Sequence, residues 1–252
     1  MSEPEGALGP RDSENLNSGG VDGDVPWSVG DALTGVVLLW PVSLLVGLLI
    51  FLLGLIVCRL AGAAVPAVLK IVALGGATFI AGITLAWWLG IKRRGGSFAD
   101  LGLTNMHPWF DIPIALLGEI VIFIGLATYG FVLFRLAGQK VPEQPVIELF
   151  GRTKSGFALA VIFVAVLAPI GEEVFFRGFV YSAFKRQWGA GTAIIASSLV
   201  FALFHIEPLL YVPMFLIGAI LATLFEYRGS LAPNIALHAL NNLLALLVLY
   251  HR

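Results

Sequence analysis

The stretch Ala168-Pro169-Ile170-Gly171-Glu172-Glu173-Val174-Phe175-Phe176-Arg177-Gly178 places two carboxylates and a guanidinium inside an otherwise apolar part of the chain. Residues 156–170 carry no charge, and the apolar run continues after Gly178 through Phe179-Val180-Tyr181. A charged side chain inside a membrane costs roughly 2.5–3.5 kcal/mol on insertion scales, so it needs a partner, water or a function. These three charges therefore decide how the rest of the chain is interpreted.

Helical spacing divides the three charges into a pair and a remainder. Glu173 and Arg177 are four residues apart with the acid first, which is the favourable order for an ion pair on one helix face. Glu172 lies about 100° around the helix, outside that pairing. We expect Glu173 and Arg177 to form a structural ion pair and Glu172 to be the free carboxylate. The alternative is that all three charges only hold helices together.

The composition predicts an all-α, multi-pass integral membrane protein with the lipid bilayer as its surroundings. The chain has 252 residues, of which 58% are hydrophobic and 12% charged, and its mean hydropathy is +0.93. Soluble domains average about 25% charged residues. The net charge of −1 argues against a nucleic-acid partner. The single cysteine, Cys58, excludes an internal disulfide.

The apolar runs predict a polytopic bundle of about seven to eight transmembrane helices. Residues 1–26 are rich in Gly, Ser, Asn, Asp and Glu and are expected to form a disordered tail. Residues 98–103 are expected to form a short ordered connector. Glu119 lies within the third apolar run, and we expect it to serve helix packing. The runs counted directly lie at about 32–57, 68–91, 112–136, 157–184, 191–205, 209–225 and 231–249.

The later apolar runs contribute further polar side chains to the same part of the bundle. His205 lies near the end of the fifth run, and His238 and Asn242 lie on the seventh. Because His238 and Asn242 are four residues apart, they share one helix face. Intramembrane ionisable residues usually face the bundle interior or a water-filled cavity. We therefore expect Glu172, His205, His238 and Asn242 to converge on one cavity.

These residue types allow two kinds of hydrolytic chemistry and one structural role. A carboxylate and a histidine can deprotonate a water, while a second histidine and an amide donate hydrogen bonds to an oxyanion. Alternatively, Glu172, His205 and His238 could hold a zinc ion with an open position. The compact H-E-x-x-H spacing is absent, so we expect no metal and no cofactor. The histidines and asparagine could also serve only interhelical hydrogen bonding.

Three motifs in fixed order resemble a known family. They are E-E-x-x-x-R at Glu172, Glu173 and Arg177, F-x-x-x-H at Phe201 and His205, and H-x-x-x-N at His238 and Asn242. This order resembles the CPBP family, also called Abi, which comprises CAAX proteases and bacteriocin-processing intramembrane proteases. The resemblance covers roughly residues 155–245.

The resemblance implies an intramembrane protease that cleaves a membrane-bound protein or peptide. It implies that Glu172 and His205 activate water and that His238 and Asn242 form the oxyanion site. It also divides the chain into N-terminal transmembrane helices over 27–150 and a catalytic helical core over 151–252. Two other classes remain open: a non-catalytic scaffold or immunity protein, and a proton-coupled transporter.

Overall fold

The computed structural model describes residues 25–65, 68–140, 142, 146–205 and 207–251, and within them it contains helices and no strand. The helices are α1 (Val29–Leu60), α2 (Val68–Ala86), α3 (Pro108–Ala137), α4 (Val146–Phe150), α5 (Lys154–Ala160), α6 (Ala168–Glu172), α7 (Ser182–Leu203), α8 (Tyr211–Arg228) and α9 (Leu231–His251). Wider π-helical segments lie at Trp87–Lys92, Val161–Leu167 and Glu173–Tyr181, and a 3-10 turn at Pro208–Leu210. The predicted all-α bundle is confirmed.

Six helical stretches in the described part of the chain are long and apolar enough to cross a membrane. One of them, Lys154–Leu203, has 50 residues, or about 75 Å of helix at 1.5 Å per residue. The hydrocarbon core is about 30 Å thick, so this stretch is long enough for two crossings. Gly189 breaks it with φ 76° and ψ 165°, a conformation that favours glycine. The predicted fourth and fifth runs thus lie within one of these six stretches, and the chain is an integral multi-pass membrane protein.

The continuous helical run over residues 154–181, here called the central helix, lies in the middle of the bundle. Every residue of its segment Glu173–Tyr181 is buried. By contrast, α1 and α3 leave most of their large apolar side chains exposed, as expected of helices that face lipid.

Small residues bring α2 against the central helix at the point where the glutamates begin. A Cβ atom added to Gly171 would lie 3.0 Å from the Cα atom of Phe79. A Cβ atom added to Gly82 would lie 3.4 Å from the carbonyl oxygen of Gly171. Small residues allow helix backbones to approach closely in membranes. The crossing places Glu172 beside α2.

The segment before α1 is anchored in the bundle. Trp27 is fully buried, and its indole Nε1 donates a hydrogen bond of 2.9 Å to the carbonyl oxygen of Phe179. Val25 is 2% exposed, and its carbonyl oxygen accepts a hydrogen bond of 2.8 Å from Arg186. The expected tail over 1–26 is therefore wrong at Val25, because an apolar side chain and a satisfied carbonyl fix it within the bundle. Residues 1–24 lie outside the described residues.

The connector predicted at residues 98–103 is ordered. Leu101 is buried, and the backbone N–H of Leu103 donates a hydrogen bond of 3.1 Å to the carbonyl oxygen of Phe98. The carbonyl oxygen of Gly102 accepts a hydrogen bond of 2.8 Å from Leu231, the first residue of α9. The connector thus fixes where α9 begins.

We expect Trp27→Ala to lower the free energy of unfolding by about 3–5 kcal/mol, because it leaves a cavity beside the central helix. Thermal unfolding of the purified protein in detergent measures this change. The matched control is Trp109→Ala, since Trp109 is 91% exposed. That substitution should change stability by no more than about 0.5 kcal/mol. Equal effects of the two substitutions would contradict an anchoring role for Trp27.

Candidate active site

A buried ion pair lies at the centre of the candidate site. Arg177 donates a hydrogen bond of 2.8 Å from its Nη1 atom to Oε1 of Glu173. The side chains are 2% and 0% exposed, respectively. The ion pair predicted from the spacing of four residues is present. Two charges without water need further polar partners, because their desolvation cost is large.

Three neighbouring helices supply those partners. From α9, His238 Nδ1 lies 2.8 Å from Oε1 of Glu173, and Asn234 Nδ2 donates to Oε2 at 3.3 Å. From α8, the carbonyl oxygen of Gly218 accepts a hydrogen bond of 3.3 Å from Arg177 Nη2. From α7, the ring of Phe201 lies 4.5 Å from the guanidinium carbon, a cation–π contact. The ion pair therefore joins α7, α8 and α9 to the central helix.

Asn234 is the partner that the sequence analysis did not select. It lies four residues before His238, which lies four residues before Asn242. The spacing of four therefore continued one turn upstream of the motif, and this was the available signal.

His238 also approaches Glu172 with its second ring nitrogen. Nε2 of His238 lies 3.8 Å from Oε2 of Glu172. Because a carboxylate can only accept, we assign the proton on Nδ1 to the bond with Glu173, which leaves Nε2 of the neutral ring as an acceptor. A separation of 3.8 Å is too long for a direct hydrogen bond. A water within reach of both acceptors would donate one hydrogen to each.

Glu172 opens onto a cavity between α1, α2 and the central helix. Its side chain is 28% exposed, whereas the side chain of Glu173 is fully buried. The cavity holds about 30 Å³, and it is lined by Leu39, by Gly75, Thr78 and Gly82 of α2, and by residues of the central helix. Glu172 is the only ionisable side chain among its described lining residues. The free carboxylate thus faces the cavity, and the paired one faces the helices.

His205 lies just after α7, and its ring nitrogen Nδ1 is 3.2 Å from the carbonyl oxygen of Phe201 in the last turn of that helix. The ring of Phe201 is 5.2 Å from that of His205 and 6.1 Å from that of His238. Among the described contacts, His205 has no hydrogen bond or ion pair with Glu172. The partnership of Glu172 with His205 stays a prediction, and His238 is the histidine that the structure places beside Glu172.

Asn242 points toward the central helix, as His238 does. Its Nδ2 atom donates a hydrogen bond of 2.8 Å to the carbonyl oxygen of Val164. The predicted common face of His238 and Asn242 is therefore confirmed, although their partners differ. The neighbouring amide of Asn241 points elsewhere and donates at 3.2 Å to Glu119 on α3. Glu119 accordingly serves helix packing, as predicted.

The alternative metal set is assembled only in part. In the part of the chain that the structure describes, no three His, Cys, Asp or Glu side chains form a group able to hold a metal ion. Of Glu172, His205 and His238, the structure brings Glu172 and His238 together. Two ligands do not complete the three-ligand arrangement of a catalytic zinc site.

Comparison with known proteins concerns the part of the chain that contains this site. The class defined by fold and site is a multi-pass helical membrane protein with a carboxylate–histidine cluster. Residues 154–244 match the family model described as type II CAAX prenyl endopeptidase Rce1-like. This segment contains all three motifs, so the resemblance to the CPBP family is confirmed for the C-terminal part of the chain.

One curated relative is the UPF0177 protein in the abiGi 5′ region of Lactococcus lactis subsp. cremoris. It is 30% identical over 109 residues, which cover 39% of this chain and 44% of the relative. The chain therefore spans less than half the length of that relative. No solved structure matches the chain significantly.

Removing one member of the ion pair should destabilise the protein strongly. Arg177→Ala leaves Glu173 buried without its cation, which costs about 3–5 kcal/mol. Thermal unfolding in detergent measures the loss. The matched control is Arg135→Ala, because Arg135 lies exposed at the end of α3 and should contribute no more than about 0.5 kcal/mol. An Arg177→Ala protein that unfolds at the wild-type temperature would show that the pair does not hold the bundle together.

Proposed function

We propose that this chain is an intramembrane endopeptidase in which Glu172 and His238 activate a water molecule. The observation that carries the proposal is the 3.8 Å separation between Oε2 of Glu172 and Nε2 of His238, with Glu172 facing a cavity. The family match over residues 154–244 supports peptide hydrolysis as the reaction. We place the catalytic core within 151–252, with residues 27–150 supplying helices around it.

The two glutamates have different tasks because their surroundings differ. Glu173 accepts hydrogen bonds from Arg177, Asn234 and His238, so its oxygens are occupied. It fixes the orientation and the tautomer of His238, as a carboxylate does for a catalytic histidine. Among the described residues, Glu172 has no such set of donors, and it faces the cavity, so it is the group available to receive a proton.

In the proposed reaction, the carboxylate of Glu172 takes one proton from the water while the water oxygen attacks the peptide carbonyl carbon. Nε2 of His238 accepts the second hydrogen bond of that water and orients it. A carbon–oxygen bond forms, and the carbonyl becomes an oxyanion. Glu172 then gives its proton to the leaving nitrogen as the carbon–nitrogen bond breaks, which restores the carboxylate. General acid–base catalysis of this kind contributes about 10²–10⁴-fold to a rate.

The resemblance implies instead that His205 activates this water together with Glu172. His238→Ala and His205→Ala distinguish the two assignments, since only the histidine that binds the water should be indispensable.

The proposed substrate is a membrane-bound protein or peptide. The family description names a prenyl endopeptidase, which acts on a C-terminal Cys-aliphatic-aliphatic-X sequence after lipid attachment to the cysteine. Peptides of the bacteriocin type are the other substrate class implied by the resemblance. Fluorescence-quenched peptides with and without a prenylated cysteine separate these two classes.

We expect Glu172→Gln to reduce cleavage of the quenched peptides by at least about 10²-fold, because the amide cannot take a proton from water. The folded state should persist, since the ion pair of Glu173 and Arg177 stays intact. Peptide cleavage and thermal unfolding are measured on the same preparations. Glu119→Gln is the matched control, because Glu119 bonds to Asn241 and should leave the rate unchanged. A Glu172→Gln protein that cleaves at the wild-type rate would refute the proposed function.

We further propose that the reaction requires no metal, and metal removal tests this. Purified protein should keep its cleavage rate after treatment with a chelator and should contain no stoichiometric zinc. Metal analysis and peptide cleavage are measured before and after treatment. Loss of cleavage on chelation, with recovery when zinc is returned, would instead favour a metal held by Glu172 and His238 with a further ligand.

A further inference from the structure

The carbonyl group of Val164 lacks the partner that its helical segment would normally supply. Val164 lies in the π-helical segment Val161–Leu167, where each carbonyl oxygen is bonded by the N–H five residues later. Five residues after Val164 comes Pro169, which has no N–H. Ala168 lies four residues after Val164, at the spacing of an α-helical bond, but it donates its N–H to the carbonyl oxygen of Phe163 instead. The two intrahelical donors within reach of Val164 are therefore absent or occupied.

Asn242 of α9 fills this position. Its side-chain Nδ2 donates to the Val164 carbonyl oxygen at 2.8 Å. An unpaired backbone carbonyl inside a bilayer costs several kcal/mol, because no water is present to bond it. Pro169 thus leaves the Val164 carbonyl oxygen without an intrahelical donor, and Asn242 supplies the donor from another helix.

This bond forms one of two connections between the same pair of helices. The other is the bond from His238 to Glu173, one turn earlier on α9 and nine residues later on the central helix. The helices run antiparallel, so the two bonds fix both the height and the rotation of α9 against the central helix. Glu172 and His238 lie next to the second bond, and their separation depends on this register.

We propose that Asn242 is a positioning residue. It bonds the Val164 carbonyl that Pro169 leaves unpaired, and it thereby holds His238 Nε2 close enough to Glu172 for both to bind one water. This inference rests on the proposed function and differs from the oxyanion role predicted for Asn242. Its amide N–H is directed at the protein backbone, where it sets the geometry of the reacting pair.

A double-mutant cycle between Pro169 and Asn242 tests the proposal. Pro169→Ala restores a backbone N–H that can bond the Val164 carbonyl within the helix. With Pro169 present, Asn242→Ala should lower kcat by about 10–100-fold, because misplacement of a reacting group by about 1 Å can cost 10²-fold. Because Pro169→Ala turns the Val164 carbonyl to this N–H and so removes the bond from Asn242, it should by itself lower kcat, and Asn242→Ala in that background should lower kcat by less than about threefold further. The probe is the quenched peptide that the wild-type protein cleaves, with kcat and KM determined separately.

Two matched controls accompany the cycle. Asn241→Ala removes the neighbouring amide, which bonds to Glu119, and should show no coupling to Pro169. Pro113→Ala introduces a backbone N–H within α3 and should show no coupling to Asn242→Ala. Pro169→Val restores the same N–H with a larger side chain and replaces Pro169→Ala if that variant does not fold.

Two results would overturn the proposal. An equal loss of kcat in both proline backgrounds would show that Asn242 acts on the substrate, as an oxyanion donor does. A lower unfolding temperature with unchanged kcat would show that the bond stabilises the fold without positioning the reacting pair. The Glu172→Gln measurement is independent of these outcomes, so failure of the proposed function is recognised separately.

Discussion

The structure depends on the cost of burying Glu173 and Arg177 together. A carboxylate and a guanidinium that are excluded from water must find all their hydrogen-bond partners within the protein. The bundle meets this requirement with His238, the carbonyl of Gly218 and the ring of Phe201, each from a different helix. One local pair, formed within a single turn of helix, therefore determines which faces of three other helices point inward.

The candidate site follows from the same constraint. The ion pair occupies one carboxylate and leaves its neighbour, Glu172, on a different face that borders the cavity. The bond to Glu173 also holds the imidazole of His238 with its other nitrogen directed toward Glu172. Orientation of this kind is present without a substrate, so in the proposed reaction it would lower the entropic cost of bringing the reacting groups together.

Spacing along the sequence predicted which side chains share a face or pair within one helix, and it could not predict contacts between two helices. The pair of Glu173 and Arg177, the free Glu172 and the common face of His238 and Asn242 all follow from helical periodicity. Which histidine would meet Glu172 depends on the rotation and height of α9, and those are set by contacts between residues far apart in sequence. The burial of Val25 was missed for a similar reason, because its partner, Arg186, lies on a different helix.

The break at Gly189 has a consequence for how a polypeptide could reach Glu172. Lys185 and Arg186 lie just before this corner, where the apolar run over 157–184 ends. Glu172 lies thirteen residues earlier, which corresponds to about 20 Å of helix. An extended chain advances about 3.3 Å per residue, so one that entered from this side would need about six residues to cover that depth. In the proposed reaction, the architecture would therefore limit the length of substrate chain between a surface anchor and the bond to be cut.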